Sequence, residues 1–173
     1  MDEFGRIDVF FNNAGIEGKV APITDQKIQD FDKVIAVNVR GVFLGLHHVL
    51  RVMQQQGSGS VINMSSVAGL KGAPTLAGYC ATKGAVRLFT KAVAMECANA
   101  KDKIRVNSVH PGLIETPIWD TIIGTGGPGS NAAPERGVAL DAMAELSVPL
   151  GFKGYPEDIA KGVLWLASEE SRY

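Results

Sequence analysis

The sequence predicts an α/β protein with three layers, in which helices cover both faces of a parallel β-sheet. Three short strand-like segments, the first of them an apolar run without alternation, alternate along the chain with two long segments that carry an apolar residue every three or four positions. Short unbroken apolar runs are typical of strands buried in a parallel sheet, whereas the longer spacing is typical of amphipathic helices. This order indicates right-handed crossovers, so we expect ligands to bind at the carboxyl ends of the strands.

The first part of the chain contains one predicted strand and one long predicted helix. Residues 7–11 (IDVFF) predict a strand buried on both faces, which ends at a turn over residues 12–15. A helical pattern then runs from Asp25 to about Gln56. Either Thr24 or Asp25 is expected to cap this helix, because both side chains can accept a backbone hydrogen bond.

The rest of the chain repeats the alternation. Strands are predicted over residues 60–64 and 104–109, and a second long helix over about 78–99. A last helix is predicted from Pro156 to about Leu166, because proline at the first position and acidic residues in the first turn favour a helix start.

Charge and composition argue against several classes of protein. The 17 Lys and Arg residues balance 18 Asp and Glu residues, and this net charge of −1 gives no field that would attract nucleic acid or an anionic membrane. No apolar run approaches the roughly 20 residues of a membrane span. Cys80 and Cys97 cannot form a disulfide framework, and the three histidines lack partners at metal-ligand spacing. We expect a single-domain, soluble, cytoplasmic protein without a metal.

Four polar residues stand out against this background. Tyr79 and Lys83 lie four positions apart, so they share one face of the second helix, where an ammonium group would lower the pKa of the phenol and suit it to proton exchange with an alcohol or ketone. The same spacing also fits an ordinary surface pair. Ser66 follows the second strand and is placed to reach Tyr79. Asn38 falls on the apolar face of the first helix, where an unpaired amide costs about 1–3 kcal/mol, so we expect buried partners for it.

These motifs together resemble those of the short-chain dehydrogenase/reductase family. Their order and spacing agree across the whole chain, including the thirteen positions from Ser66 to Tyr79. The resemblance implies a Rossmann-like fold over residues 1–173. The matching segments are Asn12-Asn13-Ala14-Gly15, Asn38, Asn63-Met64-Ser65-Ser66, Tyr79-x-x-x-Lys83, and residues 105–112 followed by Ile114 and Thr116.

The resemblance also implies a role for each catalytic position. Tyr79 would be the general acid in ketone reduction and the general base in alcohol oxidation, while Ser66 holds the substrate oxygen. Lys83 would lower the pKa of Tyr79 and hydrogen-bond the nicotinamide ribose. Asn38 would anchor a water molecule that links Lys83 to solvent.

The cofactor implied by the resemblance is NAD or NADP, bound beside a small-molecule substrate. Residues 117–149, rich in Gly, Ala and Ser, are interpreted as a mobile cover over that substrate, and Ile118, Trp119 and Met143 within it favour a fairly apolar alcohol or ketone. The implied cofactor-binding residues are Asn12, Ala14 and Gly15 near the adenosine ribose, Tyr79 and Lys83, and Pro111, Gly112, Ile114 and Thr116 beside the nicotinamide.

The chain also departs from the family pattern. Family members open with a strand, a glycine-rich turn that receives the pyrophosphate, and a second strand whose end selects NAD or NADP. None of these three elements precedes residues 7–11 in the sequence, and no counterpart of the family's last strand follows Tyr173. We therefore interpret the sequence as a partial fold without its leading strands, in which the strand over residues 7–11 has an unpaired apolar flank.

Three functional hypotheses follow. The first is an oxidoreductase that transfers hydride between NAD(P) and a secondary alcohol or ketone, assembled as a homodimer or homotetramer through the two long helices. The second is a catalytically silent fragment or assembly module of such an enzyme. The third is a related epimerase or dehydratase that uses the same tyrosine and lysine. The sequence leaves open the choice of cofactor, the substrate and the direction of reaction.

Overall fold

The computed structural model describes residues 3–124 and 133–173. Its sheet has three parallel strands, β1 (Val9–Asn12), β2 (Gly59–Met64) and β3 (Ile104–Val109), in the spatial order β1-β2-β3. The strands predicted second and third are confirmed almost to the residue, and the first begins and ends slightly later than expected.

Helices connect the strands and follow them. Short helical turns lie between several of them, including a π-helical turn over Ala36–Arg40 that joins the first two helices. The helices of the described residues are α1 (Ile28–Ile35), α2 (Gly41–Gln56), α3 (Ala77–Ala100), α4 (Ile118–Ile122), α5 (Ala133–Ser147) and α6 (Pro156–Ala167).

The core lies between the sheet and helices α2 and α3. Buried apolar side chains from both helices meet the buried valines of β2 and β3 there. On the opposite face, α6 packs on β2 and β3, and its Leu166 carbonyl accepts a hydrogen bond from Ser60 Oγ at 2.8 Å. Helices therefore cover both faces, which confirms the predicted three-layer architecture. The core side chains are Val42, Leu46, Met53, Val61, Val86, Cys97, Ile104 and Val106.

Strand β1 is not buried on both faces, so that prediction is wrong. Val9 is 43% exposed and Phe11 is 38% exposed. Among the described residues β1 pairs only with β2, and α6 packs on the other two strands. An apolar strand is buried only where another element covers it, and the described residues cover Val9 and Phe11 only in part.

The long helix predicted from Asp25 to about Gln56 is confirmed over Ile28–Gln56, with a π-helical turn inside it. It begins at Ile28 after a separate 3-10 turn, and its regular hydrogen bonding is interrupted at Ala36–Arg40. The N-cap is Lys27, which makes no side-chain capping bond, so the predicted capping by Thr24 or Asp25 is wrong.

The stretch Ile28–Gln56 is long and apolar enough to cross a membrane by length and composition, which the sequence inspection did not anticipate. Its Val42, Leu46 and Met53 side chains pack in the core against the sheet. Length and composition do not separate a membrane span from a core helix, and these contacts are those of a helix that covers a sheet.

Candidate active site

The carboxyl ends of the three strands meet at one edge of the sheet because all strands run parallel. Backbone hydrogen bonds tie the segments that follow β2 and β3 together, from Ser65 N to Val109 O at 2.9 Å and from Val67 N to Pro111 O at 3.0 Å. The first turns of α3 lie against this edge, since the Ser65 hydroxyl donates to Lys83 O at 2.8 Å. The edge therefore brings Ser66, Tyr79 and Lys83 into one region.

Tyr79 is half-buried in the first turn of α3. Burial raises the pKa of its hydroxyl above the ordinary value, the Glu17 carboxylate adds to the rise, and a hydrogen bond with the Ser66 side chain opposes it. The lowered pKa expected from the nearby ammonium group is therefore wrong for this structure, because desolvation outweighs the other influences. Ser66 Oγ also accepts a hydrogen bond from Ala68 N at 3.1 Å, which fixes the loop after β2.

Lys83 is buried one turn further along α3. Its Nζ donates to the carbonyl of Met64 at 2.9 Å and lies 5.6 Å from the centroid of the Tyr79 ring. Burial lowers the pKa of Lys83 to about 8. The ammonium form therefore still dominates at neutral pH, but it is destabilised by the loss of water.

Replacing Lys83 by Met is expected to stabilise the fold at pH 7, because a buried charge is removed. The unfolded chain binds more protons than the folded protein between pH 8 and 10.5, so wild-type stability rises with pH through this window. The variant lacks this contribution, and its advantage should shrink as the pH increases. Thermal unfolding of both proteins at pH 7 and pH 10 measures the difference. Lys91→Met, at an exposed position of the same helix, is the control, and parallel profiles for wild type and Lys83→Met would contradict the assignment.

Asn38 lies in the π-helical turn and is 1% exposed. Its Oδ1 accepts a hydrogen bond from Ile16 N at 2.8 Å, and its Nδ2 donates to Ile16 O at 2.7 Å and to Thr82 Oγ1 at 3.1 Å. The expected buried partners are confirmed. Asn38 thus joins the loop that follows β1 to helix α3. Its contact on α3 is Thr82, the residue before Lys83.

The loop after β1 approaches this cluster closely. A Cβ atom on Gly15 would lie 3.3 Å from Lys83 Nζ and 3.4 Å from Asn38 Oδ1. Glycine is therefore the residue that lets the backbone come this near. Ala14 and Gly15 are exposed, whereas Asn12 is buried and donates to Val42 O at 3.2 Å, so its side chain points to α2 rather than to this edge.

The predicted nicotinamide border lies in the segment after β3. Ile114 pairs with Gly154 in an isolated parallel bridge, and its carbonyl accepts a hydrogen bond from Trp119 Nε1 at 2.8 Å. Gly112 is exposed, and a Cβ atom there would meet nothing within 4 Å. Pro111, Ile114 and Thr116 are half-buried.

Sequence reasoning missed two residues of this region. Glu17 and Tyr79 line the same small cavity of about 10 Å³, roughly the space for one water molecule. His110 Nδ1 lies 3.3 Å from Ser66 O, and its Nε2 lies 2.9 Å from Ser108 Oγ. Glu17 could have been found from the sequence because it lies two residues after Gly15, in the loop that follows β1. In the described ranges no group of three or more His, Cys, Asp or Glu side chains is arranged to hold a metal ion.

A parallel sheet with a polar cluster at its carboxyl edge defines a Rossmann-like α/β protein. The family model described as enoyl-(acyl carrier protein) reductase matches residues 1–173. The chain belongs to the short-chain dehydrogenase/reductase family.

Curated relatives and solved structures match almost the whole chain. It is 40% identical over 173 residues to cyclopentanol dehydrogenase of Comamonas testosteroni, covering 100% of this chain and 63% of the relative. It is also 40% identical over 172 residues to levodione reductase of Leifsonia aquatica, covering 99% of this chain and 61% of that protein.

Two crystal structures show the same fold. That of levodione reductase has a TM-score of 0.87 at 38% identity, covering 99% of this chain and 64% of that one. The crystal structure of NAD+-bound xylitol dehydrogenase has a TM-score of 0.85 at 34% identity. The match covers 99% of this chain and 66% of xylitol dehydrogenase. The chain therefore spans slightly less than two thirds of the length of the relatives it matches.

Proposed function

We propose that this chain carries the catalytic site of an oxidoreductase that transfers hydride between NAD or NADP and a secondary alcohol or ketone. The observation that carries the proposal is the position of Tyr79, which has the Ser66 side chain close enough to influence the pKa of its hydroxyl and the buried ammonium of Lys83 beside its ring. Family membership and relatives named as alcohol dehydrogenases and ketone reductases support the same reaction class.

In the proposed reaction the cofactor supplies or accepts the hydride, and the protein supplies or accepts the proton. The nicotinamide, when bound, donates hydride to a ketone or accepts it from an alcohol. Ser66 orients the substrate oxygen, and Tyr79 gives that oxygen a proton during reduction or takes one from it during oxidation. Because the pKa of Tyr79 is raised, its hydroxyl is protonated at neutral pH and ready to act as an acid.

The residues present fit a nicotinamide ribose. Lys83 Nζ makes one hydrogen bond within the described part of the chain, to Met64 O, so donors remain for ribose hydroxyl groups. The exposed backbone at Ala14 and Gly15 lies beside it. We propose that the cofactor is held by these residues together with Tyr79, Pro111, Gly112, Ile114 and Thr116.

The substrate is proposed to be a small, fairly apolar alcohol or ketone. Relatives named for cyclopentanol and levodione favour this class. We further propose residues 117–149 as its cover, of which residues 125–132 lie outside the described part. Ile118, Trp119 and Met143 are half-buried in this segment.

Cofactor binding to the 173-residue chain tests the proposal. Titration with NADH and NADPH, followed by calorimetry and by nicotinamide fluorescence, is expected to give saturable binding in the micromolar range. Turnover of cyclopentanol, read from nicotinamide absorbance, would then establish the reaction. Absence of binding would favour the silent-module alternative. Tightly retained cofactor without net turnover would favour the epimerase or dehydratase alternative.

We also propose a homo-oligomer formed through the outer faces of α2 and α3. The apolar stripes expected to mediate assembly lie partly in the core, since Val86 and Cys97 are buried. Other apolar side chains point outward instead: Phe43 is 51% exposed, Leu88 is 65% exposed and Met95 is 67% exposed. In a sedimentation experiment, wild type should behave as an oligomer and Leu88→Glu as a monomer.

A cytoplasmic protein without nucleic-acid or membrane partners remains our proposal. The net charge of −1 offers little attraction to polyanions. Cys80 and Cys97 are free thiols, which suits a reducing compartment.

A further inference from the structure

A buried lysine outside the candidate active site makes an unusually complete set of contacts. Lys153, just before α6, is 7% exposed. Its Nζ lies 2.9 Å from Glu115 Oε2, lies 2.9 Å from Asp141 Oδ1, and donates to Gly137 O at 2.9 Å. These three contacts match the three donors of one ammonium group.

The partners of Lys153 belong to two different segments. Glu115 lies between Ile114 and Thr116 in the loop after β3, whereas Gly137 and Asp141 belong to α5, which we name the cover helix. The backbone of the neighbouring Gly154 is bonded to the same loop, from Gly154 N to Leu113 O at 2.8 Å and from Glu115 N to Gly154 O at 2.9 Å. Lys153 therefore fastens the cover helix to the loop that carries the proposed nicotinamide border.

A second ion pair, which is largely buried, joins the cover helix to α4. Arg136 Nη1 lies 2.6 Å from Asp120 Oδ1 of α4, and both side chains are largely buried. Leu140 and Ala144 of the cover helix are fully buried as well. The helix is thus anchored by apolar packing, by the shielded Arg136–Asp120 pair and by Lys153, whose own ammonium is buried although its partner Asp141 is exposed. A pair that is shielded from water is costly to break on one side only.

We propose that Lys153 is a positioning residue that holds the cover helix against the loop after β3, which carries the proposed nicotinamide border, and thereby sets substrate affinity. The link to substrate rests on the proposed function, whereas the anchoring of the helix does not. Without the ammonium group, Glu115 and Asp141 would face each other as two carboxylates in a partly buried place. Their repulsion would move the cover helix away from the loop.

The test compares Lys153→Met with Lys153→Arg and with Lys161→Met, an exposed lysine on α6. Hydrogen exchange over residues 133–147 should accelerate at least tenfold in Lys153→Met, and much less in Lys153→Arg, which keeps the charge. With cyclopentanol as the probe, KM should rise at least tenfold while kcat changes less than threefold. Lys161→Met should match wild type in both measurements.

Two outcomes overturn the proposal. One is unchanged hydrogen exchange in the cover helix of Lys153→Met. The other is an effect on kcat with no effect on KM. If Lys153→Met does not fold, Asp141→Asn removes one carboxylate contact and should show the same changes to a smaller degree. If cyclopentanol is not turned over, the proposed function is at fault, and hydrogen exchange alone decides whether Lys153 anchors the helix.

Discussion

Replacing Tyr79 by Phe is expected to lower kcat/KM for alcohol oxidation by about 10²–10⁴-fold, the usual contribution of a positioned acid or base. The substitution removes one hydroxyl group and keeps the ring beside Lys83 Nζ, so the fold and the affinity for the cofactor should change little. Initial rates followed by nicotinamide absorbance, together with cofactor titration of both proteins, measure the two quantities separately.

Tyr155→Phe provides the matched control for that experiment. Tyr155 is 51% exposed at the start of α6 and takes no part in the cluster around Ser66. Loss of its hydroxyl should leave the rate within about twofold of wild type. A Tyr79→Phe variant that keeps most of the wild-type rate would remove the acid–base role and the mechanism proposed from it.

The raised pKa of Tyr79 also fixes the sign of the pH dependence. Alcohol oxidation needs the phenolate as a base, and this form is scarce at neutral pH when burial holds the pKa above its ordinary value. The oxidation rate should therefore rise as the pH increases through the alkaline range. Ketone reduction needs the protonated hydroxyl and should lose rate in the same range.

The elements that were predicted well from the sequence are those whose start and end are set by residues close to them in the chain. β3 is a short strand rich in β-branched residues and closed by Pro111 and Gly112, and α6 begins at Pro156 with acidic residues in its first turn. These signals act within a few residues, so they do not depend on distant contacts. The topology followed from them because parallel strands require crossover helices.

Burial depends on distant contacts, and here sequence reasoning failed. Val9 and Phe11 have the composition of core residues, but no described helix covers their side of β1. The direction of the pKa shift of Tyr79 also depends on contacts with residues distant in the sequence. The spacing to Lys83 predicted a favourable charge, whereas the direction of the shift follows from how much water the fold removes.

The irregular turn inside the first long helix was partly visible in the sequence. Asn38 was recognisable as a polar residue on an apolar face, and it was expected to have buried partners. The π-helical turn that carries it was not predictable, because one widened turn hardly changes an apolar repeat over thirty residues. Such turns are frequent at functional sites, and this one directs the Asn38 amide to both Ile16 and Thr82.

Replacing Asn38 by Ala is expected to lower the free energy of unfolding by about 2–4 kcal/mol, since one buried and two partly buried hydrogen bonds are lost. The N–H and the C=O of Ile16 would both lose their partner at a place that water reaches only in part. Urea unfolding followed by circular dichroism measures the change. Asn99→Ala, at an exposed position of α3, should stay within about 0.5 kcal/mol of wild type.

A graded series separates the two ends of the Asn38 network. Thr82→Val removes the contact between Asn38 Nδ2 and Thr82 Oγ1 but leaves both bonds to Ile16, so it should cost about 1 kcal/mol, less than Asn38→Ala. The bonds to Ile16 hold the loop in which Gly15 approaches Lys83, so Asn38→Ala should also weaken NADH binding, whereas Thr82→Val should not. Equal losses of stability in the two variants would show that the bonds to Ile16 contribute little. In that case the loop after β1 must be held in place by other contacts.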